Sequence, residues 1–252
     1  MDDRLPVSIL LLTHNEERRL PAYLAAARWA AEVVVVDSGS TDRSREIARA
    51  HGARVFEHPL QGFGPQRGFA LAQCTQPWVM WLDADERLDA DALDSIRKAV
   101  RSGTAEAYRI RRVGYFLGRR MRHGGWSDEW LLRLFRRERA RFNDKVVHES
   151  AVVEGREGRL EGTMHHSTYE TWEDCTRKLL AYADAGAAEA HARGQRATPL
   201  DVLLRPSLRF TGQYVLRLGF LDGMHGLVMC LLSSCQVALR CARLWDLGRR
   251  AR

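Results

Sequence analysis

The sequence predicts an α/β fold, with a mostly parallel sheet covered by helices on both faces and a helical extension at the C-terminal end. Two observations predict it. The first half of the chain alternates short, continuous apolar runs with segments of helical composition, which is typical of parallel strands buried on both sides. From about residue 168 onward the composition is again that of helices.

The elements of the first half follow one another in a regular order. Strands are predicted for the apolar runs PVSILLLT, EVVVVD, ARVFEHP and WVMWLD. Helices are predicted between them over residues 18–31, over RSREIARAHG, which Gly52 closes, and from FGPQRGFALAQC. A further helix is predicted in DADALDSIRKAVRSG, and residues 107–142 then alternate as antiparallel strands around the loop HGGWSDE.

Clusters of polar residues stand at the ends of the first, second and fourth strands. They are Thr13 with Asn15 and Glu16, residues 37–42, and residues 83–86. Ligands of open α/β sheets bind beyond the carboxyl ends of the strands. We therefore expect these three clusters to converge on one site.

The acidic run DADERLDAD after the fourth strand contains two kinds of carboxylate. Side chains alternate with a period of two, so Asp83 and Asp85 lie on one side of an extended backbone and can hold Mg²⁺ or Mn²⁺ together with phosphate oxygens. A calcium loop is excluded because the spacing lacks its further oxygen ligand and its turn glycine. Asp89 and Asp91 are better interpreted as acids near the N-terminus of the next helix.

The motifs at the strand ends resemble those of a known enzyme family. THNEE, VVVVDSGSTD and WLDADE, in this order and spacing, resemble the family 2 glycosyltransferases, which have the GT-A fold, a Rossmann-like fold that binds nucleotide-diphosphate sugars. The resemblance covers roughly residues 5 to 165. GFGPQRGFAL, GGWSDEWLLRLFRR and VHE look like the bacterial branch that adds sugars to the lipopolysaccharide core, the β-1,4-glucosyltransferase type.

The resemblance implies a donor site, with UDP-glucose as the expected donor. Its residues would be Thr13, Asn15, Glu16, Asp37, Ser38, Gly39, Arg67 and Asp83. Asp83 would lie near the ribose, and Asp85 would be the direct ligand of the Mg²⁺ or Mn²⁺ that Asp83 helps to hold. Family members commonly have Asn at the position of Gly68, so the donor contact of that Asn is not expected here.

A sugar transfer that inverts the anomeric centre needs a general base for the acceptor hydroxyl. This base should come from a segment other than the one that holds the metal. Asp128 and Glu129 in GGWSDEW are candidates, and Glu129 is preferred because the related family stretch has its acid there. Glu149 in VHE is the third candidate, and an ion pair with a nearby arginine explains it equally well.

Charge and cysteine content restrict the partners and the compartment. The chain has 252 residues, a formal net charge of +7 and a pI near 9.5, which indicate an anionic partner. Nucleic acid is disfavoured because a phosphate-bearing acceptor needs the same charge and the strand-end clusters explain more of the chain. Five cysteines without a CxxC pair favour a reducing compartment, and no secretory signal pattern is evident, so we expect a cytoplasmic protein. His165 and His166 have no suitably spaced metal-ligand partner and are interpreted as a core or surface pair.

The C-terminal region has two interpretations. The uncharged run GLVMCLLSSCQVAL has 14 residues, fewer than the roughly 20 that span a bilayer. It is therefore either a buried core helix or an interfacial helix whose flanking arginines contact the anionic inner membrane. The predicted organisation is a GT-A catalytic domain over residues 1–165 and a helical, membrane-associating region over residues 166–252.

The expected function is metal-dependent, inverting transfer of glucose from a nucleotide-diphosphate donor to a lipopolysaccharide-core or other glycolipid acceptor. The protein would work as a peripheral enzyme at the cytoplasmic face of a bacterial inner membrane. Two alternatives remain open. One is sugar transfer to polyprenyl phosphate or to a capsular glycan, and the other is a non-catalytic nucleotide-binding or membrane-adaptor protein that kept the fold.

Overall fold

The computed structural model describes residues 4–126, 129–143 and 150–250. The chain forms two compact units, the first from residues 1–112 and 129–166, the second from residues 113–128 and 167–252. The segment 113–128 therefore groups with the helical unit, although the predicted domain boundary placed it in the catalytic domain. The functional division between the domains stays a prediction.

The sheet of the first unit begins with four parallel strands. These are β1 (Leu5–Thr13), β2 (Ala30–Asp37), β3 (Arg54–Glu57) and β4 (Trp78–Trp81), arranged in the order β3-β2-β1-β4. The helices between and after them are α1 (Leu20–Ala26), α2 (Ser44–Ala50), α3 (Phe63–Gln73) and α4 (Ala90–Ser102). The predicted α/β fold is confirmed.

Five further strands extend this sheet beyond β4. They are β5 (Glu86–Leu88), β6 (Ala107–Phe116), β7 (Arg119–Arg120), β8 (Glu129–Arg136) and β11 (Glu157–Tyr169). The order continues from β4 as β8-β6-β11-β5, with antiparallel pairing of β8 to β4 and β6, of β7 to β6 and of β5 to β11. The strands β9 (Ala140–Phe142) and β10 (Ala151–Val153) form a separate pair. The sheet is therefore mixed, and its parallel half carries the first two polar clusters and the start of the third.

Alternating burial along β1 explains why helices cover both faces of the sheet. Val7, Ile9 and Leu11 belong to one buried apolar cluster, and Leu10 belongs to the other. Successive side chains of a strand point to opposite faces, so a continuous apolar run fills two cores. Each such side chain contributes about 1.5–3 kcal/mol when it is buried. The two cores fix the strand ends at which the polar clusters lie.

The first helix is shorter than its composition predicts. The Ala-rich segment 18–31 was expected to be helical throughout, but α1 ends at Ala26 and β2 begins at Ala30. The Leu5 N–H donates to the carbonyl of Trp29 at 2.8 Å, so the chain already pairs with β1 at this point. Sheet pairing here outweighs the helix propensity of alanine, which is high but small in free energy compared with tertiary interactions.

The second unit consists mainly of helices. They are α5 (Trp172–Ala192), α6 (Pro199–Thr211) and α7 (Gly223–Arg250), and α7 packs against both α5 and α6. A π-helical turn over Gly212–Leu216 and a 3-10 turn over Gly219–Asp222 connect α6 to α7. By length and composition alone, the segment Gly219–Arg250 is long and apolar enough to cross a membrane, unlike the 14-residue run considered above.

Candidate active site

The loops after β1 and β2 are tied together by the buried carboxylate of Asp37. Its Oδ1 accepts hydrogen bonds from the backbone N–H groups of Gly39 at 3.2 Å and Ser40 at 2.8 Å, and its Oδ2 accepts from the hydroxyls of Thr13 and Ser40 at 3.0 and 2.5 Å. A buried carboxylate is stable only when such donors replace water. Asp37 thus holds the two loops together, while its place in the donor site stays a prediction.

Asn15 connects the same two loops from the other side. It is one of the few non-glycine residues with a positive φ, 57°. Its backbone N–H donates to the Ser40 hydroxyl at 2.9 Å, and its side-chain oxygen accepts from the Thr41 N–H at 2.8 Å. Asn tolerates this left-handed conformation better than most residues. Glu16 follows with its N–H donating to Ser44 Oγ at 2.8 Å, so this first cluster is braced against α2.

Ser38 and Gly39 follow Asp37 in the loop after β2, and a glutamine supports this loop. Buried Gln66 on α3 donates from its amide to Ser38 Oγ at 3.0 Å and to the His58 carbonyl at 2.8 Å. It thereby joins the ends of β2 and β3. Gly39 has a φ of 86°, which disfavours any side chain there. Gln66 lies within GFGPQRGFAL, but the motif did not indicate its role, because that role depends on three elements meeting.

Two arginines sandwich the indole ring of Trp81 and hold Asp83. The guanidinium carbons of Arg67 and Arg133 lie 3.9 and 4.0 Å from the ring centroid. Asp83 Oδ1 accepts from Arg67 Nη2 at 3.1 Å and from Trp81 Nε1 at 3.3 Å, and its Oδ2 lies 3.5 Å from Arg133 Nη2. Burial opposes ionisation of Asp83, but Arg67 and Arg133 outweigh it and hold its pKa well below the usual range. Asp83 is therefore anionic at neutral pH.

A chain of ion pairs runs from Asp83 towards Glu129. Glu86 is fully buried; its Oε2 accepts from the Asp83 N–H at 3.0 Å and its Oε1 from Arg133 Nη2 at 2.7 Å. The same Oε1 lies 4.0 Å from Arg112 Nη1, and Arg112 Nη2 donates to Glu129 Oε2. Burial raises the pKa of Glu86, and Arg133 acts against that rise. This network places the preferred base in the same unit as the strand-end acids.

Asp85 lies beside a histidine that sequence reasoning did not select. His166 Nε2 is 3.4 Å from Asp85 Oδ2. The pairing of β11 with β5 brings them together, because His166 stands opposite Glu86 in the register. No group of three or more metal-binding side chains occurs among the residues that the structure describes. A carboxylate oxygen and an imidazole nitrogen nevertheless suit Mn²⁺, which can take its remaining ligands from phosphate and water.

The remaining predicted residues have different outcomes. Asp89 is the N-cap of α4 and accepts from the Ala92 N–H at 2.8 Å, which confirms its capping role. Asp128 and Glu149 lie outside the described residues, so the structure places only Glu129 among the three candidate bases. Asp83 uses both oxygens on arginine and tryptophan donors, and its role as a metal ligand stays a prediction.

Comparison with known proteins identifies the family of the chain. Residues 8–153 match the family model described as glycosyl transferase family 2. The chain belongs to glycosyl transferase family 2. This confirms the family that the strand-end motifs indicated, and the matched residues include Asp37, Arg67 and the acids that follow β4.

The family 2 chain has relatives that match nearly its whole length. It is 29% identical to LpsC of Rhizobium meliloti, a lipopolysaccharide core biosynthesis glycosyltransferase, over 95% of this chain and 94% of that protein. It is 26% identical to an uncharacterized glycosyltransferase of Rickettsia typhi, over 98% of this chain and 89% of that protein.

Two solved structures are also similar to this family 2 chain. A fragment of Staphylococcus aureus TarS gives a TM-score of 0.47 at 16% identity, over 98% of this chain and 92% of that one. Glucosyl-3-phosphoglycerate synthase from Mycobacterium tuberculosis, in complex with Mn²⁺, UDP and glucosyl-3-phosphoglycerate, gives a TM-score of 0.37 at 22% identity, over 45% of each chain.

Proposed function

We propose that this family 2 enzyme transfers glucose, with inversion, from UDP-glucose to a lipopolysaccharide-core or other glycolipid acceptor. One observation carries the proposal. At the carboxyl end of β4, an anionic Asp83 held by two buried arginines stands two residues from Asp85, which is paired with His166. Cationic donors and a ligand pair for a divalent ion, next to each other, suit a nucleotide diphosphate.

The donor would lie across the loops that Asp37 and Asn15 brace. Thr13, Ser38 and Gly39 line these loops, and Arg67 stands near enough to Asp83 to exchange that carboxylate for a phosphate oxygen. Asp85 and His166 are the residues that would hold Mg²⁺ or Mn²⁺. Such an ion, when bound, neutralises charge on the diphosphate leaving group.

Glu129 would act on the acceptor. The acceptor oxygen forms a bond to the anomeric carbon while the bond from that carbon to the diphosphate breaks, and the Glu129 carboxylate takes the hydroxyl proton. Arg112 pairs with one carboxylate oxygen of Glu129 and so fixes the orientation of the group. Asp128 and Glu149 are the alternatives that a test has to address.

The relationship to LpsC supports a lipid-linked acceptor. Such acceptors stand at a membrane, so we propose that the protein works as a peripheral enzyme at the cytoplasmic face of the bacterial inner membrane. The arginine-rich helical unit supports this location. Transfer to polyprenyl phosphate or to a capsular glycan would use the same donor chemistry and is distinguished by the acceptor alone.

The donor proposal is tested by screening UDP- and GDP-sugars with the purified full chain, with and without Mn²⁺. Calorimetry of UDP binding and mass spectrometry of sugar release provide two readouts. We expect UDP-glucose to be the best donor. Asp85→Ala and His166→Ala should each weaken Mn²⁺-dependent UDP binding at least tenfold. This corresponds to the loss of one ligand interaction of about 1.4 kcal/mol or more. Asp91→Ala, an exposed acid on α4, is the matched control.

The outcomes separate the rival functions. Full activity and Mn²⁺ affinity in Asp85→Ala would overturn the metal role. UDP binding without any sugar release on any acceptor would favour the non-catalytic alternative. Glycolipid from a deletion strain that lacks one hexose identifies the acceptor, whereas an unchanged lipopolysaccharide core would redirect the search to capsular or polyprenyl acceptors.

The base is tested separately. Glu129→Gln keeps the shape of the side chain and its bond to Arg112 but cannot take a proton, so we expect kcat to fall by about 10²-fold or more while donor affinity stays unchanged. Glu138→Gln is the control, since that side chain is 85% exposed on the same stretch. An unchanged kcat in Glu129→Gln would move the assignment to Asp128 or Glu149.

A further inference from the structure

The helical unit has an apolar surface that no other described element covers. On α6 it consists of Leu200, Leu203, Leu204 and Leu208, which are 50 to 70% exposed. It continues through the exposed apolar side chains of residues 215–224, among which Leu216 and Met224 are 77% and 68% exposed. We call these residues together the docking surface. Exposed apolar area of this extent normally marks an interaction site.

The α6 part of the docking surface is a single stripe. Its leucines recur at intervals of three, four and eight residues, which places them on one face of a helix. The opposite face packs on α7: Ser234 Oγ donates to the Pro206 carbonyl at 2.7 Å and Arg209 Nε donates to Ser233 Oγ at 3.0 Å. The stripe therefore faces away from the helices that hold α6 in place.

The turn that continues the surface has a closely packed backbone. A Cβ on Gly226 would lie 2.0 Å from the Gly219 carbonyl oxygen, and a Cβ on Gly219 would lie 2.8 Å from the Gln213 carbonyl oxygen. Leu218 has a positive φ of 58°, a conformation that costs free energy for a leucine. Such close packing fixes the turn, so its apolar side chains are presented in a defined arrangement.

Charge distinguishes a lipid surface from a second copy of the chain. Residues 199–250 contain seven arginines, three aspartates and no lysine or glutamate. Arg205 and Arg217 stand within or next to the docking surface and are exposed, and Arg205 also pairs with Asp201 at 2.7 Å. Two copies that met through this surface would bring these arginines together, and their like charges would repel. Anionic headgroups instead attract the arginines, by about 1 kcal/mol for each arginine near the membrane.

We propose that the docking surface binds an anionic lipid bilayer, with its leucines about 5–10 Å deep in the headgroup region. The docking surface lies on the bilayer, and α7 does not span it, because α7 packs against α5 and α6 and its charged side chains contact other parts of the protein. Arg243 Nε lies 3.4 Å from Asp184 on α5, and Arg240 packs against Gly186 of the same helix. A spanning helix would instead present apolar side chains all round.

The same turn holds the loop that precedes the preferred base. Buried Asp222 accepts from the N–H groups of Arg122 and His123 at 3.0 and 2.8 Å, and the Arg217 carbonyl accepts from the Gly124 N–H at 2.8 Å. Docking would thus keep residues 122–126 at the level of the headgroups, where a glycolipid presents its sugar. This consequence rests on the proposed function.

The test uses the full chain and vesicles of phosphatidylcholine with or without phosphatidylglycerol, read by co-sedimentation. We expect binding only to the anionic vesicles, reduced by high salt. Leu203→Glu combined with Leu208→Glu should weaken it by about tenfold or more, since each change removes a leucine that would enter the bilayer and adds a charge that the anionic lipid repels. Leu180→Glu is the matched control: it is 55% exposed, on α5, outside the docking surface.

Each outcome supports or overturns the proposal. Vesicle binding by the double variant at the level of the parent would overturn it, as would retention of the parent on membranes after an alkaline carbonate wash. A dimer in analytical ultracentrifugation that the double variant dissociates, without vesicle binding by the parent, would assign the surface to a second copy. UDP-glucose hydrolysis without lipid is measured in parallel and should be equal in all variants. Absence of this hydrolysis in the parent would contradict the proposed function but would leave the result on vesicle binding intact.

Discussion

Both ends of the parallel strands bury a carboxylate, but the hydrogen-bond donors that satisfy it differ between the two ends. At the amino end, Glu32 accepts from the Ser8 hydroxyl, from the Thr75 N–H and hydroxyl at 2.9 and 3.1 Å, and from the half-exposed Arg54. At the carboxyl end, Glu86 accepts from buried Arg133, whose Nε and Nη1 have no hydrogen-bond partner among the described residues. The donors around Glu32 at the amino end are used, whereas Arg133 at the carboxyl end keeps N–H groups that no described residue uses.

This difference separates a structural brace from a site. Hydroxyl and amide donors and the half-exposed Arg54, which water can also solvate, satisfy the carboxylate of Glu32, so its surroundings need no further partner. A buried guanidinium group with unused N–H groups, such as that of Arg133, attracts an additional anion, because a buried cation is costly unless it is fully paired. A polar cluster at the carboxyl end of a sheet thus indicates a binding site more strongly when its cationic side chains have N–H groups that make no hydrogen bond.

The largest effect should come from removing Glu86. Glu86→Ala leaves Arg133 as a buried cation whose remaining carboxylate contact is the one to Asp83 at 3.5 Å, so we expect a loss of about 3–5 kcal/mol in the free energy of unfolding. Urea denaturation measures it. If Glu86→Ala costs no more than Glu32→Ala, the distinction between the two ends fails.

A smaller effect is expected at the amino end. Glu32→Ala removes the acceptor of several donors, of which Thr75 and Arg54 can turn to water, so the loss should be about 1–3 kcal/mol. UDP affinity, measured by calorimetry, should be unchanged because Glu32 lies at the opposite end of the strands. Weakened UDP binding in a folded Glu32→Ala protein would contradict the assignment of a purely structural role.

Acid should act on the same brace. Burial opposes ionisation of Glu32, but its bonds from Ser8, Thr75 and Arg54 outweigh it and lower its pKa. A lowered folded-state pKa contributes stability that is present above the unfolded-state pKa and is lost as the pH falls through the folded value. Denaturation midpoints of the parent should therefore decline more steeply than those of Glu32→Gln below about pH 4. Parallel curves would show that the carboxylate contributes no such linkage.

The smallest effect concerns Gly68, on α3 at the carboxyl end. No atom lies within 4 Å of the position its Cβ would take, and its φ is not in the left-handed range. Gly68→Ala should raise stability by about 0.5–1 kcal/mol, since alanine restricts the unfolded chain and favours the helix. Thermal unfolding measures the gain. Gly68→Asn tests whether the same open space lies against the donor: it should tighten UDP-glucose binding, and unchanged affinity would show that the space is remote from the donor.

Local rules predicted much of this site from the sequence, and long-range pairing supplied the rest. Strand periodicity placed Asp37, Asp83 and Asp85 at strand ends, and capping rules identified Asp89. His166 was interpreted as an ordinary core or surface histidine because nothing near it in sequence binds metal. Only the register of β11 against β5 places it beside Asp85.

Arg133 and the C-terminal helix show the same limit. Arg133 reaches Glu86 and Trp81 through the pairing of β8 with β4, which no motif specifies. The apolar run of 14 residues is only part of the helix α7, Gly223–Arg250, because arginine and aspartate side chains extend the helix by pairing along it and with α5. Composition predicts where apolar faces lie, but packing decides where a helix begins and ends.

The register that joins His166 to Glu86 also bears on when the enzyme becomes competent. The two residues are about 80 positions apart, so a ribosome adding roughly 5–20 residues per second completes β11 several seconds after β5. During that interval the strands β1 to β4 can pair, while Asp85 still lacks its neighbour. A nascent chain would therefore pair β1 to β4 first and bring His166 beside Asp85 last, since contacts between distant positions form slowly.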